Sequence, residues 1–170
     1  MEVEGLLAPP GTPPVVTAVT FDKNQAKMSV LDVPDQPGVA AKLFGALAAE
    51  NINVDMIIQS AAREETNDVS FTVSAGDLEK ARAVLGALQQ KLGSAGILFA
   101  NDVAKISIVG VGMKSHPGVA AKMFQTLADE GINIEMISTS EIKISCIIKK
   151  AQLERAVRTL HAAFGLDRKR

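Results

Sequence analysis

The sequence predicts an α+β protein built from two copies of one βαββαβ module. Residues 37–44, Pro-Gly-Val-Ala-Ala-Lys-Leu-Phe, return 80 positions later at 117–124 as Pro-Gly-Val-Ala-Ala-Lys-Met-Phe. Residues 51–57 and 131–137 agree in the same way, so loop residues are duplicated together with apolar positions. A fixed internal period of this kind indicates repeated structural units. We therefore expect two similar domains.

The first module, residues 26–101, divides into six elements by the spacing of its apolar residues. Alternation predicts strands over 28–33, 54–58 and 69–73, and residues 97–99 resemble a short last strand. Two amphipathic patterns predict helices. Their core positions are Ala40, Leu43, Phe44, Leu47 and Ala48 in the first, and Leu78, Ala81, Leu85, Leu88 and Leu92 in the second.

The second module lacks its last strand. Its pattern predicts strands over 106–111, 134–138 and 144–148 and helices over 120–128 and 153–164, after which only a short polar end remains. Residues 15–21, however, alternate cleanly before the first module begins. We predict that residues 15–22 join 103–166, so that the first module is inserted into the second. Each module then has a four-stranded antiparallel sheet with two helices on one face.

Three further segments complete the domain prediction. Asp22-Lys23-Asn24 consists of turn residues and should mark the crossing between the modules. Residues 1–14, which include Ala8-Pro9-Pro10-Gly11, are expected to be a flexible Pro-rich leader. Residues 167–170 are expected to be a solvated tail.

Composition and charge exclude several classes of function. The net charge is −1 with no long basic run, which argues against nucleic acid or anionic membranes as partners. No apolar stretch approaches the roughly 20 residues that a bilayer requires, and Met1–Glu4 lacks the positive region of a signal peptide. The single cysteine, Cys146, fits a reducing compartment. We expect a cytoplasmic protein without metal or cofactor.

The loop motifs carry a specific resemblance. Residues 110–119, Gly-Val-Gly-Met-Lys-Ser-His-Pro-Gly-Val, together with 132–142, 35–38 and 53–59, resemble the regulatory tail of aspartate kinases. That tail is a tandem of ferredoxin-like ACT domains, one inserted within the other, which agrees with the strand count. The resemblance covers nearly everything from about Val15 to Phe164.

The resemblance implies a regulatory and non-catalytic chain. The kinase domain of the family, which uses ATP to phosphorylate L-aspartate, opens with a Lys-Phe-Gly-Gly-Thr-Ser type motif that this sequence lacks. Expected partners are a second copy, giving a homodimer through the ACT domains, and the catalytic α subunit of aspartate kinase. The implied role is feedback inhibition by threonine, with lysine as a further effector, in biosynthesis of the aspartate family of amino acids. A separate subunit and an excised regulatory fragment would look alike.

A receptor for a free amino acid needs donors for the carboxylate and acceptors for the ammonium. Gly38 lets the backbone approach a ligand, and the helix start after Pro37 leaves unpaired N–H groups that favour an anion. Asp35 is a charged acceptor for the ammonium, and Gln59 can bond a side-chain hydroxyl. The resemblance places a threonine site where the first ACT domain of one chain meets the second of its partner. Its residues are Asp35, Pro37, Gly38, Val39, Ala40, Asn53, Gln59, Asn133 and Ile134.

The second loop departs from the first. Ser115-His116 stands where Asp35-Gln36 does, Gly112-Met113 adds two residues, and Lys114 reverses the local charge, so the two loops need not bind one effector. The resemblance to lysine-sensing members implies a second effector site. Its residues are Met113, His116, Gly118, Val119, Glu135, Ser140 and Glu141.

Other functions remain as alternatives. Four-stranded sheets of this order also bind RNA, but the chain has no Trp or Tyr and no basic bias, and a module that binds protein without sensing amino acids is also open. An enzyme acting alone would need a nucleophile and base pair. His116 has no such partner in the sequence and is better explained as a loop cap or ligand contact. Gly110-Val111-Gly112 lacks the remainder of a dinucleotide motif.

Overall fold

Two compact units make up the described part of the chain. The computed structural model describes residues 15–167, except the side chain of Lys114. The predicted leader and all but the first residue of the predicted tail lie outside this range. Asp22–Ala104 forms the first unit, and the described residues 15–21 and 105–167 form the second.

Residues 15–167 contain six strands and four helices. The strands are β1 (Val16–Pro34), β2 (Val54–Gln59), β3 (Thr66–Val73), β4 (Gly96–Gly110), β5 (Met136–Thr139) and β6 (Lys143–Lys149). The helices are α1 (Val39–Ala49), α2 (Leu78–Leu92), α3 (Gly118–Asp129) and α4 (Leu153–Ala163). Short 3-10 turns cover Ala75–Asp77, Met113–Ser115 and Lys150–Gln152.

The strand order confirms the predicted insertion. Neighbouring strands follow the order β2-β3-β1-β4-β6-β5. The first unit therefore contains the run β2-β3-β1-β4, and the second contains β1-β4-β6-β5. The start of β1 supplies the strand that the second module lacks, and there the hydroxyl of Thr17 donates to the Val109 carbonyl at 3.3 Å. The first unit is a βαββαβ module, and the second has the same arrangement with its last strand supplied by the start of β1, as predicted.

The first unit begins at Asp22, where turn residues were expected to mark the crossing between the modules, but the backbone there is extended. Residues 22–24 lie inside β1, which runs unbroken from Val16 to Pro34. The turn chemistry is nevertheless present, because Asp22 Oδ1 accepts a hydrogen bond from the Asn24 N–H at 2.8 Å. This local bond is compatible with extended backbone, and pairing with neighbouring strands decides the conformation. For the same reason, the strands predicted over 97–99 and 106–111 are both parts of β4.

The helices of the first unit cover one face of its sheet, as predicted. Met28 of β1 and Phe71 of β3 are fully buried there against Leu43 and Leu47 of α1 and Leu85 of α2. The Phe71 ring also meets Phe44 edge to face, with 5.4 Å between the centroids. Burying such side chains supplies most of the stability of a unit this small. In the second unit the same positions are buried, namely Ile106, Ile108, Met123, Leu127, Ala156 and Leu160.

The repeat also preserves a buried polar contact. The hydroxyls of Ser29 on β1 and Ser70 on β3 lie 2.7 Å apart, and those of Ser107 and Ser145 lie 2.7 Å apart in the second unit. Each pair satisfies hydroxyls that strand pairing removes from water. The pairs also align the modules, because Ser29 corresponds to Ser107, 78 positions on, and Ser70 to Ser145, 75 positions on.

Replacing Gly110 should destabilise the second unit. A Cβ atom at this position would collide with the backbone carbonyl of Val15, so the variant Gly110→Ala must push the start of β1 away. We expect the free energy of unfolding, measured by urea titration, to fall by more than about 2 kcal/mol. As the control, Gly86→Ala in α2 meets no atom within 4 Å. That control should gain up to about 1 kcal/mol, and equal stability of the two variants would contradict the prediction.

Candidate functional site

The loop between β4 and α3 is closed by a histidine. The ring atom Nδ1 of His116 lies 2.8 Å from the Gly112 carbonyl oxygen. Because a carbonyl oxygen only accepts, Nδ1 donates the proton of this hydrogen bond. The backbone adds bonds from Ser115 N–H to Gly112 O and from His116 N–H to Met113 O, both 3.0 Å long. The loop-capping role expected of this histidine is therefore present.

A cavity of about 410 Å³ lies beside this loop, and we call it the loop cavity. Its lining combines apolar residues with the polar residues His116, Thr139, Ser140 and Glu141. Its lining residues are Met113, His116, Pro117, Ala120, Thr139, Ser140, Glu141 and Ile144. The volume falls within the range of about 300–1,000 Å³ that is typical of small-molecule sites. The structure thus brings together four residues of the predicted second site: Met113, His116, Ser140 and Glu141.

A second cavity, of about 350 Å³, shares His116 with the first. Its lining residues are Val15, Val16, His116, Gly118, Val119, Lys122 and Phe164. The predicted residues Gly118 and Val119 thus line this second cavity. Glu135, the last predicted residue, lines neither cavity. Its carboxylate lies 3.7 Å from the ammonium of Lys149, and its N–H donates to the Ile147 carbonyl at 2.8 Å.

In the first unit, the corresponding loop presents a carboxylate just before a helix start. Asp35 follows β1, and its N–H donates to the Glu65 carbonyl at 2.8 Å. Its carboxylate accepts a hydrogen bond from the side-chain amide of Asn67 at 3.1 Å. Gly38 has a φ of +90°, which suits glycine, and directly precedes α1. The N–H groups of the first helical turn have no intrahelical acceptor, so carboxylate and donors are neighbours in this loop.

The remaining residues of the predicted threonine site lie on other segments. Asn53 is exposed just before β2, and Gln59 is exposed at the end of that strand. Asn133 and Ile134 belong to the second unit and precede β5, with Asn133 exposed and Ile134 half-buried.

Sequence reasoning overlooked Asn67. This residue is only 5 % exposed and contacts the predicted Asp35, yet it stands in a strand that otherwise points apolar residues inward. The inward positions that follow are Val69, Phe71 and Val73. A polar residue in such a row was the available signal, because buried side-chain amides need partners.

The one cysteine lies away from these loops. Cys146 is fully buried in β6, and burial raises the pKa of its thiol to about 12. Over residues 15–167, no three His, Cys, Asp or Glu side chains are grouped as metal ligands. No helix in the same range is long and apolar enough to cross a membrane.

Comparison with known proteins identifies relatives of both modules. A family model described as ACT domain matches residues 31–88 and 106–164. The aspartate kinase of Pseudomonas putida KT2440 is 49 % identical over 154 residues, which cover 91 % of this chain and 38 % of the relative. The chain therefore spans less than two fifths of the length of that curated relative.

Two solved structures match the chain along almost their whole length. The ligand-free regulatory subunit of aspartate kinase from Thermus thermophilus is 45 % identical, with a TM-score of 0.83. A chain from the crystal structure of aspartokinase alpha and beta subunits is 53 % identical, also with a TM-score of 0.83. Each match covers 88 % of this chain and 99 % of the other.

Burial should make the Cys146 thiol inert. At pH 8 we expect no reaction with Ellman's reagent until the protein is unfolded in urea, since the nucleophile is the thiolate. The pKa is 9.0 for an ordinary thiol and about 12 when folded, so the folded state holds this proton more tightly. The resulting stabilisation is complete below pH 9 and is lost as pH rises from 9 to 12. Fast labelling of the folded protein would contradict this assignment, and Cys146→Ala, which cannot be labelled, is the control.

Proposed function

The chain belongs to the ACT-domain family, as a regulatory region of the aspartate kinase type, and we propose that it senses free amino acids. We propose that their binding is transmitted as feedback inhibition of an aspartate kinase. The main support for this proposal is the loop cavity, because it is large enough for an amino acid and is lined by residues that can bind one. The duplicated loop in the first unit supplies the second line of support.

We propose that the loop cavity binds lysine. Its walls are apolar where Met113, Pro117 and Ile144 contribute, which suits the methylene stem of a long side chain. Glu141 offers a negative charge for an ammonium group, and Ser140 offers a neutral hydrogen-bond partner. The His116 bond to Gly112 shapes the wall of the cavity by holding the loop closed.

For the first unit we propose threonine as the effector. The Asp35 carboxylate can accept from the α-ammonium group, while the N–H groups at the start of α1 suit the α-carboxylate. Gln59 is available for the side-chain hydroxyl of threonine. Asn133 and Ile134 belong to the second unit, and we propose that a partner copy of the chain provides them, which makes the sensor a homodimer.

The edge strands support pairing between copies. In the strand order β2 is the outer strand of the first unit and β5 that of the second. Each edge exposes an isoleucine at the equivalent position, Ile57 at 53 % and Ile137 at 40 %. Exposed strand edges with apolar side chains favour pairing with another chain.

Inhibition then follows from linkage between sites. An effector that binds only one arrangement of the regulatory units shifts the population toward that arrangement by its differential affinity. We propose a catalytic α subunit of aspartate kinase as the partner that reads this shift, consistent with the relative of known structure that contains alpha and beta subunits. Phosphoryl transfer to aspartate then belongs to that partner.

Calorimetric titration of the purified chain tests the sensor function. We expect saturable binding of L-threonine that Asp35→Ala weakens at least about tenfold, because a hydrogen bond to a charged group contributes about 1.5–3 kcal/mol. We expect saturable binding of L-lysine that Glu141→Ala weakens to the same extent. Each variant should leave the other ligand's affinity unchanged.

Matched controls remove the same charge from other exposed positions. Glu79→Ala on α2 and Glu154→Ala on α4 remove exposed carboxylates from the first and the second unit, away from the loops. Both should bind like the unaltered protein. If neither amino acid binds to any form of the chain, the sensor function is wrong for this protein.

A further inference from the structure

The side-chain amide of Asn67 is half satisfied. Its Nδ2 donates to Asp35 Oδ1 at 3.1 Å. Its Oδ1 is buried and accepts no hydrogen bond from any residue between 15 and 167. Buried polar atoms nearly always have partners in folded proteins, so an acceptor without a donor calls for a reason.

The neighbouring carboxylate fixes which atom is left without a partner. Exchanging the nitrogen and oxygen of this amide would place Oδ1 against Asp35 Oδ1, and the contact would then join two acceptors. A carboxylate accepts only, so the nitrogen must face Asp35. The unpartnered atom is therefore the oxygen.

The fold does not require an Asn–Asp pair at this position. The serine pairs make Ser70 the equivalent of Ser145 in the repeat, 75 positions on. By the same offset Asn67 corresponds to Ile142, since 67 + 75 = 142. Asp35 corresponds to Ser115, since 35 + 80 = 115. The second unit forms the same fold with neither the carboxylate nor the amide, and its Ile142 is 56 % exposed. The pair is therefore a property of the first loop.

Asn67 is also adjacent to that loop. It pairs with Val33 across the strands β1 and β3, two residues before Asp35. Its side chain occupies the end of the inward-facing row and reaches the segment that leads into α1. The unpartnered Asn67 Oδ1 therefore belongs to the same amide group that contacts the Asp35 carboxylate at this end of the row.

Resting on the function proposed above, we propose that Asn67 is a recognition residue of the first effector site, where its amide oxygen and the Asp35 carboxylate jointly accept the α-ammonium group of the ligand. An ammonium group has three N–H donors and can serve both acceptors at once. Because Asn67 Oδ1 is covered in the ligand-free chain, binding must shift the loop, and Gly38 is its conformationally permissive position. The site therefore selects α-amino acids whose amino group is free and charged.

The first test changes the ligand and leaves the protein intact. The full chain is titrated with L-threonine and with N-acetyl-L-threonine, which keeps the carboxylate and the hydroxyl but has no ammonium. We expect binding of threonine and at least a hundredfold weaker binding of the acetylated form. Equal affinity for the two would overturn the role of the acceptor pair.

The second test changes Asn67 and its counterpart in the repeat. Asn67→Leu keeps the size but removes both polar atoms, and we expect at least tenfold weaker threonine binding. The double variant Asp35→Ala/Asn67→Leu should lose less than the two single losses combined, because both residues serve one group of the ligand. Ile142→Ala is the matched control and should bind threonine unchanged. A lower melting temperature of Asn67→Leu with unaltered affinity would assign Asn67 a structural role only and overturn the proposal.

A third measurement does not depend on the variant folding. The side-chain Nδ2 resonances of Asn67, recorded by nuclear magnetic resonance, should shift when threonine saturates the unaltered chain, and no shift at saturation would overturn the proposal. The proposed sensor function fails separately, if the unaltered chain binds neither threonine nor lysine. Threonine binding with no effect of Asn67 preserves the sensor function and removes only this inference.

Discussion

The sharing of β1 and β4 is the constraint on which the remainder of the structure depends. Each unit needs four paired strands, and the second unit obtains one of them from residues 16–21, far from its other strands in sequence. This pairing brings Gly110 so close to Val15 that no side chain fits between them. The second unit can therefore be complete only when the residues that precede the first unit have paired, which makes its closure a non-local event.

Duplication separates the parts of the sequence that build the scaffold from the parts that could bind. The serine pairs, the apolar helix faces and the Pro-Gly helix starts occur in both units, so their common role is structural. The loops differ in the charged and polar side chains that a ligand would contact. One loop has a carboxylate that accepts a hydrogen bond from a buried amide. The other has a histidine ring that is hydrogen-bonded to a backbone carbonyl of the same loop. This difference in charge between two loops of one fold would suit the two effectors proposed above.

Much of this architecture follows from pattern alone, because apolar period and repeat length are strong signals. The insertion of one module in the other required only a count of strands. Strand continuity did not follow, because Asp22 and Asn24 have turn preferences that act locally, whereas the pairing that keeps β1 extended involves residues distant in sequence. The loop cavity brought together predicted residues from the β4–α3 loop and the β5–β6 turn, which the family resemblance had indicated. Glu135 shows the limit, because its pairing with Lys149 depends on register that no motif encodes.

Modest size would suit these units to the proposed sensor function. The first unit contains 83 residues, since 104 − 22 + 1 = 83, and a unit of this size has a small core and marginal stability. A ligand at 100 times its dissociation constant adds about 2.7 kcal/mol to the state that binds it, a large share of such a margin. In the first unit the ligand would also bury its charges against Asp35 and the helix start, where the free loop leaves an acceptor without a donor. An acceptor without a donor destabilises the ligand-free state, and the same atom would stabilise the bound state. The difference in free energy between the two states would then be available for regulation.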